Sequence, residues 1–322
     1  VTESKVPTFD PMLAPVSNNG RFWDYLPEYE ERKTYGTYYW EINGNKVTEE
    51  LRGDDSRIVI DRTLPFIDRS LKQGKPFLAT IWFHTPHLPC VAGPEHAALY
   101  NDLPLEERNY YGCITAMDEQ IERLVNFLKR RGIYENTVIF FCSDNGPELN
   151  TPGTAGIFKG KKRSLYEGGI RVPAFMVGGK GKLPGHITQP CSTSDYLPTI
   201  LEMTGLSQQG LYELDGESFL PFLSSEKATR KKPLVFCSGT QGAVVTYDYK
   251  LYYNKGKFEL YKLPQDPSEQ NDISVSHPDE VKKLSDYLHQ QMSAYRNSFE
   301  GEEYGTSSVE RMKQKWEGIF AK

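Results

Sequence analysis

The sequence predicts an α/β chain followed by a small antiparallel sheet closed by a helix. Three observations carry this. Short apolar runs of strand length, at 76–83, 137–142 and 172–177, alternate with segments of helical period. Beyond residue 232 the pattern changes to short β-rich runs separated by turn residues. A last stripe of Val281, Leu284, Leu288 and Met292 then returns to helical spacing.

The elements follow in order. Residues 1–50 are rich in Pro, Asn, Tyr and charge, with little periodicity, and read as an irregular surface excursion. Ile58, Ile60, Leu64, Ile67 and Leu71 form the apolar stripe of a helix over 56–72. Asp54-Asp55 precede it as an N-terminal cap, where acids suit the helix dipole. Pro76–Phe83 reads as a buried strand. Tyr110, Ile114, Met117, Ile121, Leu124 and Leu128 mark a long helix over 105–131, with Arg130-Arg131 near its end and Gly132 as the stop. Thr137–Cys142 and Val172–Val177 are further buried strands, and Ser194–Met203 is a helix ending at Gly205. The polar stretch Ser224–Lys232 places a boundary between residues 1–225 and 226–322. The runs 234–238, 242–247, 250–254 and 258–262 form hairpins, with Asn254-Lys255-Gly256 as one turn, and 278–296 is the closing helix.

Chemistry-bearing residues gather at the carboxyl ends of the strands, where α/β sheets bind ligands. The run 137–142 leads into Ser143-Asp144-Asn145-Gly146-Pro147-Glu148. Asp and Asn offer only oxygen donors, which suit calcium or magnesium better than zinc. Asp-Asn-Gly is also ordinary turn chemistry. Gly160-Lys161-Lys162-Arg163 follows, a cationic run that is either a solvated face or a cradle for a tetrahedral anion. Glu167-Gly168-Gly169 and Arg171 come next, with glycines that let backbone pass close to a site. The run 76–83 ends in His84-Thr85-Pro86-His87, two of the six histidines.

Taken together, HTPHLP (84–89), SDNGPE (143–148) and GKKRSLYEGGIRVP (160–173) resemble the sulfatase family of the alkaline-phosphatase-like superfamily. The likeness extends through DYLPTIL (195–201), LDGESF (214–219) and ELYKLPQDPSEQN (259–271), and covers roughly residues 55 to 297. It implies part of an alkaline-phosphatase-like sandwich, with a mixed, mostly parallel sheet and helices on both faces. It also implies a calcium-dependent, formylglycine-type sulfuric ester hydrolase acting on a sulfated carbohydrate or aryl sulfate. Asp144 and Asn145 correspond to metal ligands, with calcium ahead of magnesium. Lys162 and His87 correspond to catalytic and sulfate-binding residues, and His84, Glu167 and Arg171 to supporting ones. Lys161 and Arg163 stand where the family often has glycine. They either contact an anionic polymer or are solvated.

The family nucleophile is missing. Cys90, Cys113, Cys142, Cys191 and Cys237 all lie outside the C/S-x-P/A-x-R context, and no serine fits. The first Asp-Asp metal pair of the family and its Lys- and His-bearing motif are absent too. The chain thus resembles the carboxyl-terminal part of a sulfatase, with about half of its site, and is expected to be inactive alone. The formylglycine is expected in an upstream segment. Two other readings stay open: a phosphodiesterase or phosphonate hydrolase of the superfamily, and a non-catalytic binding fragment.

A net charge of −5 argues against nucleic acid as a partner. No membrane span is visible. Five Cys without metal-type spacing imply no disulfide framework. Tyr35, Tyr38, Tyr39 and Trp40 form an aromatic cluster that could pack on sugar rings or on the missing half of the fold. Association with an upstream half, or with itself, is a further expectation. The resemblance favours a periplasmic or extracellular location.

Overall fold

A computed structural model describes residues 54–302 apart from 89, 180–184 and 226, together with residues 2–3 and 38–39. The excursion expected over 1–50 and most of the Tyr35–Trp40 cluster lie outside the described residues. Two short strands from that region, β1 (Thr2–Glu3) and β2 (Tyr38–Tyr39), pair antiparallel. The chain divides into two compact units. The first holds residues 1–139, 150–152 and 176–180, and the second holds 140–149, 153–175 and 181–322. The boundary expected at 225/226 falls inside the second unit.

In the first unit, helix α1 (Asp55–Lys72) is capped as its sequence suggests: the Asp54 carboxylate accepts from the Ser56 and Arg57 amides at 3.1 and 3.2 Å. A short helix α2 (Pro94–Ala98) precedes the long helix α3 (Leu105–Arg130). Ile60 and Ile67 of α1 pack on Leu124 and Leu128 of α3. The expected large-residue stripe fails in the first half of α3. Its buried positions are Asn109, Gly112, Cys113 and Ala116, not Tyr110, Ile114 and Met117. The cause is close approach of the preceding segment, since a Cβ on Gly112 would lie 2.7 Å from the Ala92 Cβ.

The run Pro76–Phe83 has no regular secondary structure and belongs to no ladder among the described residues. Phe77, Ile81 and Phe83 pack on the α1–α3 core, whereas Leu78 and Trp82 are 66% and 79% exposed. The expected burial of both faces is therefore corrected to burial of one. Strands β3 (Val138–Cys142) and, after the short helix α4 (Glu167–Ile170), β4 (Ala174–Gly178) run from one unit into the other and pair with each other. Bonds from the Gly179 amide to Thr137 O and from the Ser143 amide to Pro173 O give the pair an antiparallel sense. Phe175 of β4 is exposed rather than buried, and stacks on Phe141.

In the second unit, α5 (Tyr196–Thr204) ends at Gly205 in the left-handed region, and α6 (Leu220–Ser224) follows. Asp195, before α5, is fully buried and takes two bonds from Arg230 at 2.7 and 2.9 Å. Four strands then form an antiparallel meander: β5 (Leu234–Ser238), β6 (Gln241–Val245), β7 (Lys250–Asn254) and β8 (Lys257–Tyr261). The β7–β8 turn has Lys255 and Gly256 both at positive φ, as a tight hairpin requires.

Side-chain alternation gives this sheet two working faces. Val244, Leu251 and Leu260 pack on Leu284 and Leu288 of the closing helix α7 (Pro278–Glu300). Met292, expected on that packed stripe, is 44% exposed. Ala243, Tyr252 and Tyr261, one residue over, pack on Leu165, Tyr166 and Ile170. The sheet is thus the wall behind the 160–171 segment. All five cysteines are free thiols. No helix of the described residues is long and apolar enough to cross a membrane.

Candidate active site

The Asp144-Asn145-Gly146 turn and the Glu167-Gly168-Gly169 turn meet backbone to backbone. The Gly146 amide donates to Gly169 O at 2.9 Å, and the Lys162 amide donates to Pro147 O at 3.0 Å. The Gly168 amide donates to Lys159 O at 2.7 Å. A Cβ on Gly146 would lie 1.9 Å from Gly168 O, and one on Gly169 would lie 1.9 Å from Ser164 O. Only glycine fits such a contact. The two motifs, some twenty residues apart in sequence, are one interlocked structure.

That structure holds Asp144, Asn145 and Lys162 together. Asp144 is exposed and Asn145 half-buried. The Asn145 amide nitrogen donates to Gly146 O at 2.8 Å, so the ligating atom it can present is its carbonyl oxygen. Lys161 and Lys162 are half-buried. Arg163 sits at φ 74° and pairs with Glu148, and that pairing holds the Glu148 carboxyl below its ordinary range.

Behind the turn lies a buried charge cluster. Glu167 is 5% exposed, and its carboxylate meets Lys250 Nζ at 2.9 Å and Arg171 Nη1 at 3.5 Å. Lys250 is fully buried and also meets Glu269 at 2.9 Å. Glu269 Oε2 accepts from the Glu167 amide at 2.6 Å. Burial raises the Glu269 carboxyl above its ordinary value, against the lowering influence of Lys250. Beside this cluster, the Tyr166 and Tyr261 hydroxyls both donate to Glu259, at 2.7 and 2.6 Å. Burial pushes the Glu259 carboxyl upward, but these bonds and Lys257 outweigh it and bring it to about 2. Lys159 lies 4.0 Å from the Tyr166 ring centre.

The two histidines belong to the first unit. His84 Nδ1 meets Asp55 Oδ2 at 2.8 Å. Asp55 is fully buried, and burial raises its carboxyl to about 7 despite that bond. The His87 amide donates to His84 O at 2.7 Å, so the two residues share one turn. His87 is exposed, and its Nδ1 donates to Leu88 O at 2.6 Å. In the neutral ring this leaves the lone pair on Nε2. The buried Cys90 thiol donates to Pro86 O at 3.3 Å, and Asn109 of α3 accepts from the Ala92 amide at 2.9 Å. Both tie the histidine turn down.

The sequence motifs include His84, Glu167 and Arg171 but give no sign that Asp55, Cys90, Lys250 and Glu269 contact the same segments. Asp55 stands in a capping position, and only the fold reveals its histidine. Lys250 carries no local signal, because a lysine in a strand reads as an exposed residue.

Asp144 and Asn145 match a hard cation in donor chemistry. Calcium takes six to eight oxygens, so two residues cannot hold it by themselves. Among the described residues no group of three His, Cys, Asp or Glu is arranged to bind a metal. The turn can therefore supply at most two of such a cation's side-chain ligands.

Comparison with known proteins gives the family. A family model described as Sulfatase matches residues 13–206, and one described as N-sulphoglucosamine sulphohydrolase, C-terminal, matches residues 153–298. The uncharacterized sulfatase YdeN of Escherichia coli (strain K12) is 33% identical over 199 residues, covering 60% of this chain and 35% of that protein. The N-acetylgalactosamine-6-sulfatase of Canis lupus familiaris is 28% identical over 248 residues, covering 75% of this chain and 45% of that protein. The crystal structure of Ps i-CgsB in complex with k-i-k-neocarrahexaose superposes with a TM-score of 0.68 at 26% identity, over 79% of this chain and 56% of that one. The structure of BT4656 in complex with its substrate D-Glucosamine-2-N, 6-O-disulfate shares the fold, with a TM-score of 0.64 at 18% identity over 82% of this chain and 74% of that one. The chain spans less than half the length of these two curated relatives.

Proposed function

Because the chain belongs to the sulfatase family, we propose that it supplies one side of the active site of a sulfuric ester hydrolase. The substrate class is a sulfated carbohydrate or a small sulfate ester. The observation that supports this reading is the backbone interlock of the Asp144-Asn145-Gly146 and Glu167-Gly168-Gly169 turns, together with the bond from the Lys162 amide to Pro147 O, which ties the backbone of the lysine segment to the residue after the first turn. The k-i-k-neocarrahexaose on Ps i-CgsB and the D-Glucosamine-2-N, 6-O-disulfate on BT4656 support a sulfated sugar as the ligand class.

In this reading Lys162 binds the sulfate through its fixed positive charge, which favours charge developing on the sulfate oxygens. By the resemblance His87 supplies the proton for the leaving oxygen; that role requires the imidazolium, in which Nδ1 donates to the Leu88 carbonyl and Nε2 carries the proton to be given. Asp144 and Asn145 give calcium two of its oxygen ligands. When bound, the cation supplies Lewis acidity and orients the reacting groups. Glu167 and Arg171 hold the turn from behind, and His84 holds the turn of His87. No Cys or Ser of this sequence stands in the nucleophile context, so the formylglycine is assigned to residues outside it. The chain alone should release no sulfate. A periplasmic or extracellular compartment accords with the resemblance.

The test is calcium-dependent sulfate release by a version that carries the nucleophile segment. Asp144→Ala should abolish it, and undiminished release would sink the assignment. Turnover by the isolated 322-residue chain would defeat the claim that the nucleophile lies elsewhere.

A further inference from the structure

The buried Lys250 lies outside the substrate-facing residues, yet every contact of its charge leads back to the site. Its Nζ meets Glu167 and Glu269 at 2.9 Å each. Glu269 in turn accepts from the Glu167 amide at 2.6 Å. Glu167 opens the Gly168-Gly169 turn, whose carbonyl at Gly169 accepts the Gly146 amide and whose Gly168 amide reaches Lys159 O. One ammonium on β7 thus fixes both the backbone and the side chain of the residue that joins the metal-type turn to the lysine segment. Glu269 adopts φ 52°, a left-handed conformation that costs a non-glycine residue energy and that clusters at functional sites. A buried charge left unpaired is expensive, so this arrangement has little freedom to slip.

We propose that Lys250 and Glu269 are positioning residues for the anion site: the Lys250–Glu167–Glu269 cluster sets the register of the Gly168-Gly169 turn, and with it Lys162 and the Asp144-Asn145 turn. This rests on the reading of Lys162 as the sulfate ligand. A filler role would stabilise the sheet alone. A positioning role acts on the turn while the sheet stays folded.

The experiment compares the 322-residue chain with Lys250→Met and with the charge-neutral pair Lys250→Met/Glu269→Gln. Amide hydrogen exchange is read at Gly146, Lys162, Gly168 and Gly169, and separately in β6 and β7. Inorganic sulfate is titrated in the same samples. The expected result is exchange at the four turn amides faster by about tenfold or more, and sulfate binding weakened by about tenfold, with the sheet amides still protected in the double variant. Turn amides as protected as in the parent chain overturn the proposal. Sheet and turn loosening together in both variants assigns Lys250 to folding and also overturns it. Lys162→Ala serves as the control. If it leaves sulfate binding unchanged, or the parent chain takes up no sulfate, the anion reading fails and the exchange pattern alone decides the positioning role.

Discussion

Replacing Gly146 by Ala tests the interlock that organises the site. The new Cβ would lie 1.9 Å from the Gly168 carbonyl oxygen, more than an ångström short of ordinary contact. The obstructing atom is backbone, so no side-chain rotation relieves it. The Gly168-Gly169 turn has to move, which breaks the Gly146 amide bond to Gly169 O and disturbs the Gly168 amide bond to Lys159 O. Overpacking costs about 1–3 kcal/mol, and each net hydrogen bond about 0.5–1.5 kcal/mol. The second unit should therefore lose about 2–5 kcal/mol, against a domain stability of about 5–15 kcal/mol. Gly185→Ala is the control, because nothing lies within 4 Å of its Cβ position, and it should stay within about 0.5 kcal/mol of the parent. Urea unfolding followed at the amide signals of β6 and β7 reports this unit. A Gly146→Ala midpoint matching that of Gly185→Ala would refute the interlock.

Other consequences follow from the buried charges. Burial raises the Asp55 carboxyl from its ordinary value to about 7, so its contribution to stability is full below about pH 4 and is lost as pH rises to about 7. The span corresponds to at most about 4 kcal/mol. Asp55→Asn, which keeps an acceptor for His84, should flatten that part of the thermal-melt profile between pH 4 and 7; a profile unchanged from the parent's contradicts the assignment. Arg230 is 3% exposed and bidentate on the fully buried Asp195. Arg230→Met should cost about 3–5 kcal/mol, because it leaves a buried carboxylate whose charge is offset only by the Ser192 and Glu217 amides; denaturation within about 1 kcal/mol of the parent would show that those amides suffice or that Asp195 takes a proton. Substituting Cys90 with Val removes the thiol bonds to the Pro86 and His87 carbonyls at similar volume. Faster exchange at the His87 amide is expected, with the α1–α3 core unaffected.

Local period made most of the fold readable. The stripe over 56–72 reappears as α1, which buries one face, and the four β-runs after residue 232 reappear as β5–β8, short apolar runs separated by turn residues whose sheet packs on both faces. The run 76–83 shows the limit of such reading. An apolar octet looks buried on both faces, yet it has no ladder among the described residues, and Leu78 and Trp82 stay exposed. In α3 the close approach falls on Gly112, and Asn109, Cys113 and Ala116 are buried beside it, a set that no stripe of large apolar residues marks. For the candidate site, the sequence offers Asp144, Asn145, Lys162 and His87 through their residue types and motif context. The site was hidden where a residue acts through a partner distant in sequence, as Lys250 does through Glu167 and Asp55 through His84.

The most direct test of the central claim is a paired turnover measurement on a version carrying the nucleophile segment, with a sulfated monosaccharide and a phosphate diester as substrates. The account predicts that sulfate release dominates and that Lys162→Ala abolishes it. Dominant diester cleavage, or sulfate release indifferent to Lys162, would contradict it.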